Sequence, residues 1–337
     1  MAHEQLEEIA RQLAKKPGGI LAADESNPTI GKRFSEVGLE NSPESRRDYR
    51  EMLLTSPDLG KYINGVILFT ETLEQKTSDG GTFVEVLNEQ GIIPGVKVDL
   101  GLVDMPNYPG EKITKGIDGL RERLQEYIEK GAKFAKWRAV YSIGGEKPSE
   151  ANIQANAQGL ALYAAFCQEQ GLVPIVEPEV LMDGNHSILD CYAATGKALK
   201  ALFENIKMFR VSPKALVLKP NMVVQGKNYL GKDTSAEVVA NATFTVLSKE
   251  VPREVALIAF LSGGLKDEAA AEYLSTINRK WYGATPWPLS FSFARALQTV
   301  PMKEYSKGTQ ESYTRAQEIL VETARKMSLA TVGKYQP

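Results

Sequence analysis

The amino-acid sequence predicts an α/β chain closed into one TIM (β/α)8 barrel, a single domain spanning residues 1–337. Three observations predict it. Short apolar runs rich in Val, Ile and Leu recur eight times along the chain. Segments with apolar residues at helical spacing lie between them. The runs repeat every ~30–45 residues, about one strand–helix unit. No Pro/Gly/Ser linker or low-complexity tract divides the chain.

The runs are Gly19 to Asp24, Gly65 to Phe69, Pro94 to Asp99, Phe134 to Arg138, Pro174 to Glu179, Leu216 to Pro220, Ala256 to Gly263 and Leu289 to Ser292. Near-continuous apolar runs of this length suit strands of a parallel sheet buried on both faces. A doubly wound open sheet is the alternative. It is disfavoured because no glycine fingerprint follows the first run.

The intervening segments read as helices. Ile117, Leu120, Leu124, Tyr127 and Ile128 share one helical face, as do Leu160, Tyr163, Ala164 and Cys167, and Val238, Val239, Ala242, Val246 and Leu247. Gly131, Gly171 and Pro252 act as stop signals after them. Leu6, Ile9, Ala10 and Leu13 make the N-terminus an amphipathic helix. Thr309 to Thr331 reads as a C-terminal surface helix with Tyr313, Ala316, Leu320, Ala324 and Met327 inward.

Composition excludes several classes of function. Hydrophobic residues make up 43% and charged residues 24%, enough for a large core. Lys plus Arg (40) nearly balance Asp plus Glu (42), so no overall field draws the chain to nucleic acid or a membrane, and any anion site is local. The two cysteines, Cys167 and Cys191, are far apart and in no ligand spacing, which fits a reducing compartment. With no signal-peptide pattern and no apolar segment of spanning length, a cytoplasmic location is expected. Only His3 and His186 are available as imidazole ligands or triad bases. Zinc-dependent and Ser-His-Asp chemistry are therefore disfavoured, and no metal or cofactor is expected. His186, in the loop Asp183-Gly184-Asn185-His186, is expected to be a surface residue.

The polar residues at the run ends carry the chemistry. Barrel strands deliver catalytic groups at their C-terminal ends, several strands at once. Here those ends bear Asp24 and Glu25, Lys97 and Asp99, Lys136 and Arg138, Glu177 and Glu179, Lys219, Ser262, and Ser292 with Arg295. Residues two apart on a strand face the same side, so the pairs 97/99, 136/138 and 177/179 converge inward. Any one of these could be a solvated strand end. Three lysines, several carboxylates and two arginines around one mouth are harder to explain that way. Amines crowded together and desolvated are expected to lose protons more easily, as a Schiff-base nucleophile requires. Ser262-Gly263-Gly264, alone, is a simple turn. With Arg295 after the next strand it lies where barrels place a phosphate site.

These blocks make the sequence resemble the class I fructose-bisphosphate aldolases from about Gly19 to Tyr335. The motifs are Gly19-Ile20-Leu21-Ala22-Ala23-Asp24-Glu25-Ser26, Val96-Lys97-Val98-Asp99, Phe134-Ala135-Lys136-Trp137-Arg138, Pro174-Ile175-Val176-Glu177-Pro178-Glu179, Leu218-Lys219-Pro220-Asn221-Met222, Phe260-Leu261-Ser262-Gly263-Gly264 and Phe291-Ser292-Phe293-Ala294-Arg295-Ala296-Leu297. The resemblance implies reversible cleavage of fructose 1,6-bisphosphate, as in glycolysis and gluconeogenesis, without a cofactor. It implies a Schiff base on Lys219, with Glu177 as acid and base for imine formation. Lys136 would assist dehydration, and Asp24 would take the β-hydroxyl proton. Glu179, Lys97 and Arg138 would orient the chain. Ser262, Gly263, Gly264, Ser292, Arg295 and Ser26 would serve one phosphate, Arg33 with Lys32 the other. A homotetramer is implied as well.

Three departures from the family pattern carry expectations. Leu100 stands where relatives often carry Lys, which alters the charge near Lys97. Phe293-Ala294 replaces a Tyr-Gly pair, which is expected to shift Arg295. The sequence stops at Pro337, whereas many relatives continue into a tail ending in a catalytic Tyr, so slow protonation of the enamine on Lys219 is expected. Rival readings are a transaldolase-like or pyruvate-dependent Schiff-base lyase, which need not combine Lys97, Lys136 and Arg295, and a silent scaffold on a borrowed barrel.

Overall fold

The computed structural model describes residues 2–231 and 234–336. The side chain of His3, and Pro337, both named above, lie outside the described residues. The strands are β1 (Gly19–Ala23), β2 (Ile63–Leu68), β3 (Ile93–Lys97), β4 (Leu102–Asp104), β5 (Lys112–Thr114), β6 (Phe134–Tyr141), β7 (Val173–Val180), β8 (Val217–Leu218), β9 (Leu257–Phe260) and β10 (Leu289–Phe293). Eight close a parallel barrel in the order β1-β10-β9-β8-β7-β6-β3-β2. Each of the eight apolar runs supplies one barrel strand. The antiparallel hairpin β4–β5 was not anticipated. Its Leu102 and Val103 are exposed, and its Pro- and Gly-rich surroundings read as loop.

Strand alternation builds two cores. Outward residues such as Leu21, Val96, Trp137, Val176, Leu218 and Phe260 pack under the helices. Inward residues Ile20, Ile67, Phe134, Val173, Ile175, Val217 and Leu257 fill the lower barrel, and the N-terminal helix Ala2–Leu13 closes that end with Leu6, Ala10 and Leu13. Each such fully buried Leu contributes about 1.5–3 kcal/mol. Gly95 is obligatory at this level: a Cβ there would lie 2.2 Å from the Phe134 ring.

The same parity carries the site. Two residues above Ile175 on β7 stands Glu177, then Glu179. Two above Phe134 on β6 stand Lys136 and then Arg138, and two above Val217 stands Lys219. Register aligns Lys97 with Lys136 and Arg138 with Glu177 across neighbouring strands. The apolar floor thus passes into a charged layer at Asp24, Lys97, Lys136, Glu177 and Lys219.

The helices follow the expected punctuation. Gly171 ends Glu150–Gln170 at φ +88, and Ser149, Ser187, Ser235 and Thr309 cap helix starts with side-chain oxygens. The expected helix from Ile117 begins at Leu120, because Gly119 preceding it is left-handed at φ +64. In the C-terminal helix Gln310–Ala330, Ala316, Leu320, Ala324 and Met327 are buried, whereas Tyr313 is half-buried. No described helix is long and apolar enough to cross a membrane.

Candidate active site

A cleft of about 530 Å³ opens at the C-terminal ends of the barrel strands, lined among others by Asp24, Lys136, Glu177, Lys219, Ser262 and Arg295. At its floor four charged groups alternate in sign. Lys136 Nζ lies 2.6 Å from Asp24 Oδ2 and 3.2 Å from Glu177 Oε2, and Lys219 Nζ lies 3.1 Å from Glu177 Oε1. All four side chains are buried. The Lys136–Oε2 approach is an ion pair without hydrogen-bond geometry, so Glu177 Oε2 keeps a buried acceptor with no hydrogen bond among the described residues. Around this floor, Arg138 Nε donates to Glu179 Oε2 at 2.6 Å. Lys97 Nζ donates to Asp99 Oδ1 at 2.6 Å and to its carbonyl at 2.7 Å. Lys97 therefore stands beside the floor, tied down by Asp99.

The charges settle by contact. Burial pushes the Asp24 carboxyl up, but Lys136 and Lys219 outweigh it and hold the group at about 2. Glu177 behaves alike: burial raises it, and Lys136, Lys219 and Arg138 bring it below the usual carboxylate range. Burial favours deprotonation of Lys136, yet Asp24, Glu177 and Asp99 together raise it above the ordinary lysine value. The expected mutual depression of crowded amines fails at Lys136, because a carboxylate stands on each side of it. It is a fixed cation.

Asp24 ionisation links the site to stability. Its folded value lies below the ordinary 3.8, so ionised Asp24 contributes about 2 kcal/mol above that pH, lost as pH falls through about 2. The stability gap between wild type and Asp24→Asn should therefore shrink as pH drops from about 4 to about 2 in denaturant titrations. A gap constant across that window would disprove the linkage.

The anion-binding wall forms beyond β9 and β10. Gly263 and Gly264 have φ of +56 and +98, and Leu265 N–H closes the turn on Ser262 O at 2.8 Å. Successive left-handed glycines turn backbone N–H groups toward one concavity. Arg295 starts the helix Arg295–Tyr305 and is exposed, and its Nη2 lies 3.2 Å from where a Cβ on Gly264 would sit. Ala294 has φ −105, so this backbone requires no glycine before Arg295. Ser292 is buried with its hydroxyl unpartnered among the described residues. Thr29, Lys32 and Arg33, on the helix that follows β1, also line the cleft. Ser26 is not among the lining residues; its hydroxyl pairs with Thr29 Oγ1 at 3.1 Å.

Some partners were missed. Arg33 is paired with Glu25, whose other oxygen accepts from Arg50 at 2.8 Å. Gln298 also donates to Glu25 at 3.0 Å. Arg50, on helix Pro43–Leu54, is buried. Glu25 was visible only as the neighbour of Asp24. His186 corrects the surface expectation: it is 6% exposed, with both ring nitrogens unpartnered among the described residues. Gly226 lets two loops close over it, since a Cβ there would lie 2.4 Å from Gly184 O. Leu100 is half exposed.

Breaking a carbon–carbon bond beside a carbonyl asks for an electron sink and two proton carriers that do not compete, and this barrel mouth places candidates for each on different strands. Fold and site together define a Schiff-base type of carbon–carbon lyase. The family model "Fructose-bisphosphate aldolase class-I" matches residues 5–337, and the chain belongs to that family. A probable fructose-bisphosphate aldolase class 1 of Xanthomonas campestris is 48% identical over 336 residues, covering 100% of both chains. A cytosolic fructose-bisphosphate aldolase of Arabidopsis thaliana is 48% identical over 98% of this chain and 92% of its own. The fructose-bisphosphate aldolase of Plasmodium falciparum, solved with TRAP and a small-molecule inhibitor, superposes at TM-score 0.97 with 44% identity. That match covers 100% of this chain and 96% of the other.

Proposed function

We propose that this single-domain barrel cleaves fructose 1,6-bisphosphate reversibly to dihydroxyacetone phosphate and glyceraldehyde 3-phosphate, with Lys219 as the Schiff-base lysine. One observation carries the assignment: the Lys219 amine lies 3.1 Å from Glu177, whose other oxygen has a free acceptor site. Lys219 adds to the ketose carbonyl, and Glu177 shuttles the proton that lets water leave as the imine forms. Asp24, held ionised, takes the proton of the β-hydroxyl while the bond beside it breaks, and the electron pair flows into the iminium. Lys136, a fixed cation between the two carboxylates, keeps their duties apart. Glu179, Arg138 and Lys97 orient the hydroxylated chain. Ser262, Gly263, Gly264, Ser292, Arg295 and Ser26 hold the phosphate on the imine side, and Arg33 with Lys32 the distal one.

Borohydride added with dihydroxyacetone phosphate should inactivate the protein and leave a mass tag on Lys219, with cleavage unaffected by exhaustive chelation. A tag on Lys136 or Lys97, or activity restored by a divalent metal after chelation, overturns the assignment. Arg295→Ala should weaken dihydroxyacetone phosphate binding about 10–150-fold, the loss of one charged contact of about 1.5–3 kcal/mol. Unchanged binding in the folded variant would put the phosphate elsewhere. The family likeness supports a homotetramer, to be checked by sedimentation. The cytosolic and cytoplasmic names of plant relatives support a cytoplasmic location.

A further inference from the structure

Lys227 takes no part in the roles above, yet it stands at the phosphate wall. A Cβ built on Gly264 would meet Arg295 Nη2 at 3.2 Å, Lys227 Cε at 3.2 Å and Lys227 Nζ at 3.3 Å. Two cations from different strand-end loops thus border the same small volume, above two successive left-handed glycines. The two cations repel each other, and Lys227 Nζ donates to Asp183 Oδ1 at 2.9 Å.

The backbone of Lys227 is held while its side chain is not. Gly226 N–H donates to His186 O at 2.9 Å, Lys227 N–H to Met182 O at 2.8 Å and Asn228 N–H to Gly184 O at 2.9 Å. This clamp over buried His186 fixes where the lysine stem begins. The side chain is 44% exposed and that of Asp183 70% exposed, so their ion pair is screened and weak. A phosphate dianion is a stronger partner than one solvated carboxylate, and the long stem reaches it by rotation alone.

We propose that Lys227 is a specificity-determining residue of the phosphate site: when a phosphorylated ketose enters, its ammonium leaves Asp183 and, with Arg295, grips the phosphate over Gly263 and Gly264. This rests on the aldolase reading of the cleft. Asp183 acts as a resting counter-ion that limits binding of weaker anions. Arg295 supplies the directional contacts and Lys227 a movable point charge.

The test uses the full chain at fixed ionic strength, with inorganic phosphate as a competitive probe and fructose 1,6-bisphosphate as substrate. Lys227→Met should raise the phosphate inhibition constant and the substrate KM together, by about three- to ten-fold for a partly exposed charge. Lys227→Arg should restore both. Asp183→Asn should lower the phosphate inhibition constant, since the competing carboxylate is gone. If Lys227→Met leaves both constants unmoved while Arg295→Ala weakens them, Lys227 is not part of the site. If Arg295→Ala also leaves them unmoved, the phosphate reading itself fails and this proposal with it. A fall in kcat alone makes Lys227 a fold residue and overturns the proposal.

Discussion

Lys219→Met is expected to lower kcat by on the order of 10⁴-fold or more, because in the proposed mechanism no neighbouring amine can replace Lys219 as nucleophile. Lys136 is the nearest candidate, and its contacts disqualify it. Asp24 and Glu177 hold it 2.6 and 3.2 Å away, and their charges raise its pKa above the lysine norm. A protonated amine has no lone pair to give the carbonyl. Methionine fills the lysine stem's volume but leaves Glu177 Oε1 buried without its partner, at about 1–3 kcal/mol of stability. Lys219→Arg separates the two effects, since it keeps an N–H donor for Glu177 but cannot form the imine. It should lose the activity while keeping more of the stability, read by denaturant titration beside the cleavage assay. Cleavage by a folded Lys219→Met chain within about tenfold of wild type would place the nucleophile elsewhere.

The barrel was legible because its determinants are local and repeated. A run such as Val173 to Val180 must be buried on both faces, and only a parallel sheet covered by helices offers that. The inward charges were legible for the same reason: parity alone puts Glu177 and Glu179 above Ile175. The hairpin β4–β5 was not, since its strands are short, exposed and set among turn residues, without any hydrophobic period to mark them. Nor was the role of the N-terminal helix. Its apolar stripe was plain, but amphipathicity does not say which surface it covers, here the lower end of the barrel.

Within the site, residue types were readable and partnerships were not. Residue type alone sets Lys136 among three crowded lysines; Asp24 and Glu177 on either side of it make it the paired cation. Arg50 lies 25 positions from Glu25, and only folding brings its guanidinium within 2.8 Å of that carboxylate. His186 misled because its neighbours Asp183, Gly184 and Asn185 spell a surface turn. The burial comes from Gly226, a glycine on a different loop whose missing side chain allows the approach.

Glu177→Gln tests the other half of the imine chemistry. Glutamine preserves the shape and can still accept from Lys219, but it neither takes nor returns a proton. General acid–base groups of this kind contribute about 10²–10⁴-fold, so kcat should fall by that factor. The cations around Glu177 hold its carboxyl below the usual carboxylate range, overcoming burial, and its buried Oε2 accepts no hydrogen bond among the described residues. In the proposed mechanism it acts as a base first, and becomes an acid only after receiving a proton from the adding amine. Both imine formation and imine hydrolysis should slow in the variant. Rapid quenching with borohydride should then show the Lys219 adduct with dihydroxyacetone phosphate accumulating slower than in wild type. Glu177→Asp, which keeps the carboxylate but shortens its reach, should recover part of the rate. Should Glu177→Gln form the adduct at the wild-type rate and lose only turnover, the proton carrier for the imine lies elsewhere. Glu177 would then act as a counter-charge between two lysines, and the change would show in stability before it showed in chemistry.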